Sequence, residues 1–285
     1  MEFIQANTIE LPLEEIESNH IIPVFNRDNT PLISQSQFIE TTYDVIRENR
    51  VEGPFIRVSH PVKGRIPSAR HKKAVELEEH EKTLYYERMM FCFLLPEYSQ
   101  SIGDQEVSMV VGGIKAYNKD NMTKQSMQSF QFFTGWQVKV CTNMCIWTDG
   151  TNLEIKADTV QALKSQLTVQ IPEVSLMSVW QNVGLAEQEF AHLIGKAKMA
   201  SYKDEHSLGL TDTQLNSVVK GYYENEHFSG GESIDLWSLY NLLTEANKSS
   251  YIDTFGVIAM ECSSFVHSLH SDLTLGNTNW HLWKS

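Results

Sequence analysis

The residues of this chain best suited to chemistry are eight Lys and Arg side chains within residues 47–73. They are Arg47, Arg50, Arg57, Lys63, Arg65, Arg70, Lys72 and Lys73. Only two acids, Glu48 and Glu52, lie among them, so the segment carries a formal charge of +6. The whole chain carries −13, which leaves −19 for the rest. A basic stretch in an acidic chain indicates a surface that binds a polyanion.

The basic segment predicts a surface whose side chains contact the phosphates of a nucleic acid. The predicted phosphate-binding residues are Arg57, Lys63, Arg65, Arg70, Lys72 and Lys73. Aromatic side chains follow closely, and Tyr85 and Tyr86 are predicted to stack on bases, which single strands expose. The predicted partner is therefore single-stranded nucleic acid.

A second interpretation is that nearby acids neutralise the basic segment. Four acids follow it directly: Glu76, Glu78, Glu79 and Glu81. If Ser68 caps a short helix, Lys72 and Glu76 form a pair at i and i+4. The acids are too far along the chain to reach Arg47, Arg50, Arg57 and Arg65 easily. The sequence leaves both interpretations open.

Cysteines and histidines offer two further candidate sites, both of metal-binding type. On a strand, Cys141 and Cys145 would hold their sulfurs about 13 Å apart, whereas zinc needs ligands within about 2.3 Å of one centre. On the predicted last helix, His267 and His270 are neighbours, but Cys262 points elsewhere. No Cys-x-x-Cys or His-Glu-x-x-His motif completes a site. We therefore predict no metal and no cofactor.

The motifs of the common enzyme classes are missing from the sequence. It has no phosphate-binding loop of the Gly-x-x-x-x-Gly-Lys-Ser/Thr type, no Gly-x-Ser-x-Gly elbow and no Gly-x-Gly-x-x-Gly turn. No catalytic residue is predicted. An unrecognised enzyme stays an alternative, in which polar residues would converge on Gly112-Gly113 or on His267 and His270.

The elements that must position these residues form an α+β pattern. Ser34 and Gln37 have the spacing of a capping box and predict a helix start. Strands are predicted at residues 55–58, 83–95, 107–117 and 130–147, and Asp149-Gly150 predicts a hairpin turn into a return strand at 152–155. Helices are predicted at about residues 174–202, 212–224, 233–247 and 251–270.

We therefore expect an antiparallel sheet in the first half and a mostly helical second half. Residues 1–157 would hold an N-terminal arm, a helix and the sheet, and residues 158–285 a helical extension packed on it. No linker marks the boundary near Asp158, which favours one continuous domain.

Composition points to an ordinary globular protein, with 41% hydrophobic and 21% charged residues. The amino terminus lacks the features of a signal peptide, and no apolar run approaches the roughly 18 residues of a membrane span. Four cysteines without an export signal favour reduced thiols. These features predict a cytoplasmic protein with no membrane contact.

Several stretches of the chain resemble a known family. They are His20-Ile21-Ile22-Pro23-Val24-Phe25, Ile33-Ser34 with Phe38-Ile39-Glu40, His71-Lys72-Lys73, the run from Glu81 to Met89, Gly112-Gly113 with Ala116-Tyr117-Asn118, Lys139-Val140-Cys141-Thr142-Asn143 and Thr148-Asp149-Gly150. Weaker similarity continues around residues 236–245. The family resembled is an uncharacterised phage/plasmid-like family of mobile-element proteins, domain-of-unknown-function family 3871, related to family 932.

The resemblance implies that the protein is cargo of a mobile element. The order of elements is similar to that of single-strand-annealing proteins, which hold single strands with a curved sheet and basic hairpin residues in oligomeric rings. We therefore expect an accessory protein that binds or anneals single-stranded DNA without catalysis, in a homo-oligomer by this analogy. The alternative is an anti-defence protein that binds and inhibits a host defence protein.

Overall fold

The chain folds as an antiparallel sheet followed by helices, which confirms the α+β prediction. The computed structural model describes residues 2–19, 33–69, 71–120, 127–146, 153–171, 174–200, 202 and 208–277. Its strands are β1 (Thr8–Glu10), β2 (Glu52–Ser59), β3 (Pro61–Arg65), β4 (Lys82–Tyr86), β5 (Arg88–Ile102), β6 (Gln105–Ala116), β7 (Gln128–Val138), β8 (Met144–Ile146), β9 (Leu153–Ala157), β10 (Gly184–Ala186) and β11 (Ser233–Asp235). Its helices are α1 (Leu13–Asn19), α2 (Gln35–Ile46), α3 (Val160–Gln166), α4 (Ser175–Val179), α5 (Glu187–Ala200), α6 (Asp212–Glu224), α7 (Leu236–Asn247) and α8 (Ile252–Thr274).

The main sheet has the strand order β1-β2-β5-β6-β7, and both β8 and β9 pair with β7. Helices cover both faces of this sheet. Side chains that alternate along β5 contact a different helix on each face. Phe91 packs edge-on against Phe38 of α2, with ring centroids 5.1 Å apart. Met90 and Cys92, which point the other way, share a buried cluster with Phe255 of α8. A sheet buried on both faces explains the continuous apolar runs in β5 and β6.

The start of α2 confirms the predicted capping box. The Gln37 backbone N–H donates to the Ser34 hydroxyl oxygen at 3.0 Å, and the Gln37 side-chain oxygen accepts from the Ser34 N–H at 2.9 Å. Both bonds satisfy backbone donors that the first turn of a helix leaves open.

The hairpin predicted at Asp149-Gly150 is wrong. The strands on either side of it, β8 and β9, both run antiparallel to β7 along the same edge. They therefore run in the same direction, whereas the two strands of a hairpin run in opposite directions. The dipeptide itself lies outside the described residues. Among the described residues, a tight turn joins β7 to β8, and Thr142 takes a left-handed φ of 57° there.

The helix predicted at residues 174–202 is interrupted. Strand β10 separates α4 from α5 and pairs antiparallel with β11, which replaces the start of the helix predicted at 233–247. Gly184 in β10 allows this approach, because a Cβ there would meet the Ile234 carbonyl oxygen at 3.0 Å. The predicted helix at 212–224 is confirmed as α6. In the described parts of the chain, no helix combines the length and apolarity needed to cross a membrane.

The pair Gly112-Gly113 is a packing feature of β6. A Cβ at Gly113 would overlap the ring of Phe38, and one at Gly112 would overlap the Phe91 carbonyl oxygen and the Phe133 ring. The absent side chains let α2 and the neighbouring strands approach closely.

Replacing Gly113 by alanine is expected to lower the free energy of unfolding by about 1–3 kcal/mol, the usual cost of overpacking. Gly195 on α5 has no atom within 4 Å of its Cβ position. Gly195→Ala should therefore raise stability by about 0.5–1 kcal/mol through helix propensity. Urea unfolding of both variants measures the two changes in the free energy of unfolding. The prediction is contradicted if both variants are stabilised or both are destabilised.

Candidate nucleic-acid interface

The basic segment lies on a β-ribbon that extends past the main sheet. Strands β3 and β4 continue the pairing of β2 and β5 in the same register, from Val58 opposite Met89 to Pro61 opposite Tyr86. The ladder is interrupted between them, where the Arg88 N–H donates to the Ser59 hydroxyl at 3.2 Å. Beyond this bend, β3 and β4 form a separate two-stranded sheet. We call β3 and β4 the ribbon.

One face of the ribbon is cationic. Lys63 lies opposite Leu84, and Arg65 lies opposite Lys82. Directly opposed residues and residues two apart on a strand share a face. The Lys82 side chain is 41% exposed, Leu84 is 53% exposed and Lys63 is also exposed. Three cations thus surround an open apolar side chain on this cationic face.

An acid from the adjoining loop partly neutralises the cationic face. The Lys82 ammonium lies 2.5 Å from the Glu79 carboxylate. This hydrogen bond and charge hold the pKa of Glu79 below its ordinary value, and the charge of Lys63 acts in the same direction. Glu79 therefore stays ionised at neutral pH. Because its side chain is 90% exposed, the pair contributes little to stability and a competing anion can replace it.

The predicted pair of Lys72 with Glu76 on a helix is wrong. Residues 67–69, 74–76 and 79–81 form separate 3-10 turns, and the Lys72 ammonium binds Glu81 at 2.5 Å instead. This bond raises the pKa of Lys72 and lowers that of Glu81. The carbonyl oxygen of Lys72 accepts from the Arg65 guanidinium, which fixes the loop to the ribbon.

Three other basic residues are paired away from the ribbon. Arg57 on β2 binds Glu10 of β1 at 3.2 Å, and its side chain is only 13% exposed. Arg47 and Arg50 form exposed pairs of 3.5 and 3.6 Å with Asp44 and Glu52, respectively. As expected, the acids at residues 76–81 are not the partners of Arg47, Arg50 and Arg57 in these pairs. The sequence analysis counted Glu52 but overlooked Asp44 and Glu10, and the β1–β2 pairing brings Glu10 close to Arg57.

The remaining predicted site residues differ in accessibility. Tyr85 is half-buried and packs edge-on against Tyr117, with centroids 6.3 Å apart, while burial raises its pKa. Tyr86 is only 9% exposed, which leaves little of its ring for a base. The Lys73 backbone N–H donates to the Glu76 carboxylate at 2.9 Å. Arg70 lies outside the described residues.

The structure therefore brings Lys63, Arg65 and Lys82 together and places Arg57 elsewhere. Lys82 lies just before the strand predicted at 83–95, and Leu84 was missed because that strand was interpreted as buried. The run Lys82-Thr83-Leu84 has two polar residues before an apolar one, so it offers no alternation that would have predicted a half-exposed strand.

The thiols are poorly suited to nucleophilic catalysis. All four cysteines are free, and burial raises the pKa of Cys141 to about 11 and those of Cys92, Cys145 and Cys262 further. Such thiols stay protonated and are weak nucleophiles. Burial also lowers the pKa of His270. Within the described ranges, no three His, Cys, Asp or Glu residues form a group that could hold a metal ion.

Comparison with known proteins gives a family but no function. Searches of curated proteins and of solved structures find no match to the chain. One family model, described as "Domain of unknown function, B. Theta Gene description (DUF3871)", matches residues 1–283. Because the match covers almost the whole chain, the protein belongs to this family of unknown function.

Proposed function

We propose that the protein is a non-enzymatic accessory of a mobile element that binds or anneals single-stranded DNA through the cationic face of the ribbon. The observation that carries the proposal is the placement of Lys63, Arg65 and Lys82 on one face of a ribbon beyond the sheet. Lys63 and Arg65 are two residues apart, about 6.6 Å along the strand. This spacing suits successive phosphates of an extended strand.

The acids of the loop are compatible with this function. The pair of Lys82 with Glu79 is exposed, so a phosphate can take the place of the carboxylate without uncovering a buried charge. Leu84 supplies apolar surface beside the cations, on which an unstacked base can pack, whereas Tyr85 lies opposite Val62 on the other face of the ribbon.

We also propose a genetic origin, a cellular location and an oligomeric state for the protein. The resemblance to phage/plasmid-like proteins and to family 932 supports an origin in a mobile element. A cytoplasmic location and a homo-oligomer fit a protein that handles single strands during the transfer or repair of such an element.

The test is binding of the full chain to a labelled, unstructured single-stranded oligonucleotide over a range of salt concentrations. Three phosphate contacts predict that the logarithm of affinity falls with the logarithm of salt concentration at a slope of about −2. A matched duplex should bind more weakly, because its bases are stacked inside. The proposal fails if no single strand is retained at low salt and micromolar protein.

A second candidate function is inhibition of a host defence protein. It is favoured by the ion pairs of Arg47, Arg50, Arg57 and Lys72, which neutralise much of the basic segment within an acidic chain. Retention of a host nuclease or restriction subunit from nuclease-treated lysate, without binding of single strands, would favour it over the ribbon proposal.

A further inference from the structure

A cavity of about 330 Å³ lies at the bend where β2 passes into β3 and β4 passes into β5. Three parts of the chain line it. Asn7 comes from the turn before β1, His60, Glu87 and Arg88 come from the bend, and Tyr251 comes from the start of α8. The size is at the lower end of the range of about 300–1,000 Å³ for small-ligand pockets. It suits a single small ring system.

Arg88 forms one wall of the cavity and lies between two carboxylates. The Nε atom of Arg88 lies 3.2 Å from one oxygen of Asp253, and the other oxygen of that carboxylate accepts from Asn118 at 3.1 Å. A terminal nitrogen of Arg88 lies 3.4 Å from Glu87. The guanidinium lies 5.7 Å from the centre of the Tyr251 ring, a cation–π distance. The guanidinium thus lies beside the Tyr251 ring at the opening.

The charge around the cavity does not favour a free anion. Two carboxylates, Glu87 and Asp253, accompany Arg88, so this group carries a formal charge of −1. Tyr251 is 56% exposed and offers a flat apolar surface. The side chains of Asn7 and His60 can each donate or accept hydrogen bonds. A flat surface with a polar rim suits an uncharged, planar ring that carries both donors and acceptors.

We propose that this cavity binds a nucleobase, which stacks on Tyr251 and forms hydrogen bonds with Asn7 and Glu87 along its edge. Val62, the second residue of β3, also lines the cavity and connects it to the ribbon, on the face opposite Lys63. The inference deepens the proposed function and rests on it: a strand that passes over the edge of the ribbon places one base in the cavity while its phosphates contact the cationic face.

The test uses nucleosides, because they carry the base without a phosphate. Adenosine, cytidine and thymidine are titrated separately into isotope-labelled full chain and followed by amide chemical shifts. Saturable shifts are expected at Asn7, Glu87 and Tyr251. Tyr251→Ala should weaken nucleoside binding about tenfold, since stacking is the main contact that it removes. Tyr251→Phe should retain binding.

Two controls separate this inference from the ribbon proposal. Tyr223→Ala removes a similarly exposed tyrosine far along the chain and should leave nucleoside binding unchanged. Lys63→Gln with Lys82→Gln should weaken binding of single strands but not of nucleosides. No nucleoside shifts in the unaltered protein, or no effect of Tyr251→Ala, would overturn the cavity assignment even if single strands bind. Nucleoside binding without strand binding would overturn the ribbon proposal alone.

Discussion

Replacing Lys115 by methionine is expected to lower the free energy of unfolding by about 3–5 kcal/mol, because it leaves Asp120 as a buried charge without its partner. The Lys115 side chain has no exposed surface, and that of Asp120 is 4% exposed. The Lys115 ammonium donates to both carboxylate oxygens of Asp120, at 2.9 and 2.8 Å, and to the Ser129 carbonyl oxygen at 3.1 Å. Asp120 also accepts from the Ser129 N–H at 2.9 Å.

This network joins the end of β6 to the start of β7, and denaturant unfolding followed by circular dichroism measures its contribution. The control is Lys164→Met, which removes an exposed pair of 2.6 Å with Asp44 and should change stability much less. Replacing Asp120 by leucine in the Lys115→Met variant should recover much of the loss, because no charge then stays buried. Equal losses for Lys115→Met and Lys164→Met would contradict the prediction.

Local signals in the sequence were sufficient for some elements. The capping box at Ser34 and Gln37 depends on residues three apart, so the start of α2 could be predicted. The apolar runs of β5 and β6 reflect burial on both faces and predicted strands near the centre of the sheet. Helix α6 also begins with a capping box, from Thr211 to Gln214, and matches its predicted bounds.

The errors occur where structure depends on distant partners. Strand β10 lies inside a helical pattern, but its pairing with β11 comes from about fifty residues away. Lys115 has the polar character of an exposed strand residue, yet the 3-10 turn after β6 places Asp120 against it. Similarly, the acid that neutralises Arg57 comes from β1. No spacing rule connects such residues before the sheet is known.

In the candidate site, too, some residues could be predicted from local sequence and others depend on strand pairing. A charge count found Lys63 and Arg65, because clustering in sequence is visible without a structure. Lys82 joins them only through the register of the ribbon, in which it lies opposite Arg65. Tyr85 and Tyr86 are adjacent on β4, so their side chains point to opposite faces of the ribbon. Tyr86 is also buried.

Replacing both Lys63 and Lys82 by glutamine is expected to weaken single-strand binding roughly fiftyfold at about 50 mM salt. Each lost phosphate contact removes about 0.7 from the salt slope, or nearly one decade of affinity at that concentration. The slope should therefore change from about −2 to about −0.7. Fluorescence anisotropy with the labelled oligonucleotide measures both quantities.

Matched variants distinguish the ribbon from the net charge of the protein. Lys156→Gln with Lys220→Gln removes the same charge from side chains that are 63% and 72% exposed, and should have little effect. Glu79→Gln should strengthen binding because it frees Lys82, whereas Glu224→Gln, which removes the exposed partner of Lys220, should not. Equal weakening by the two double variants would show that binding follows net charge. A gain specific to Glu79→Gln would show that the phosphates and this carboxylate compete for the same lysine.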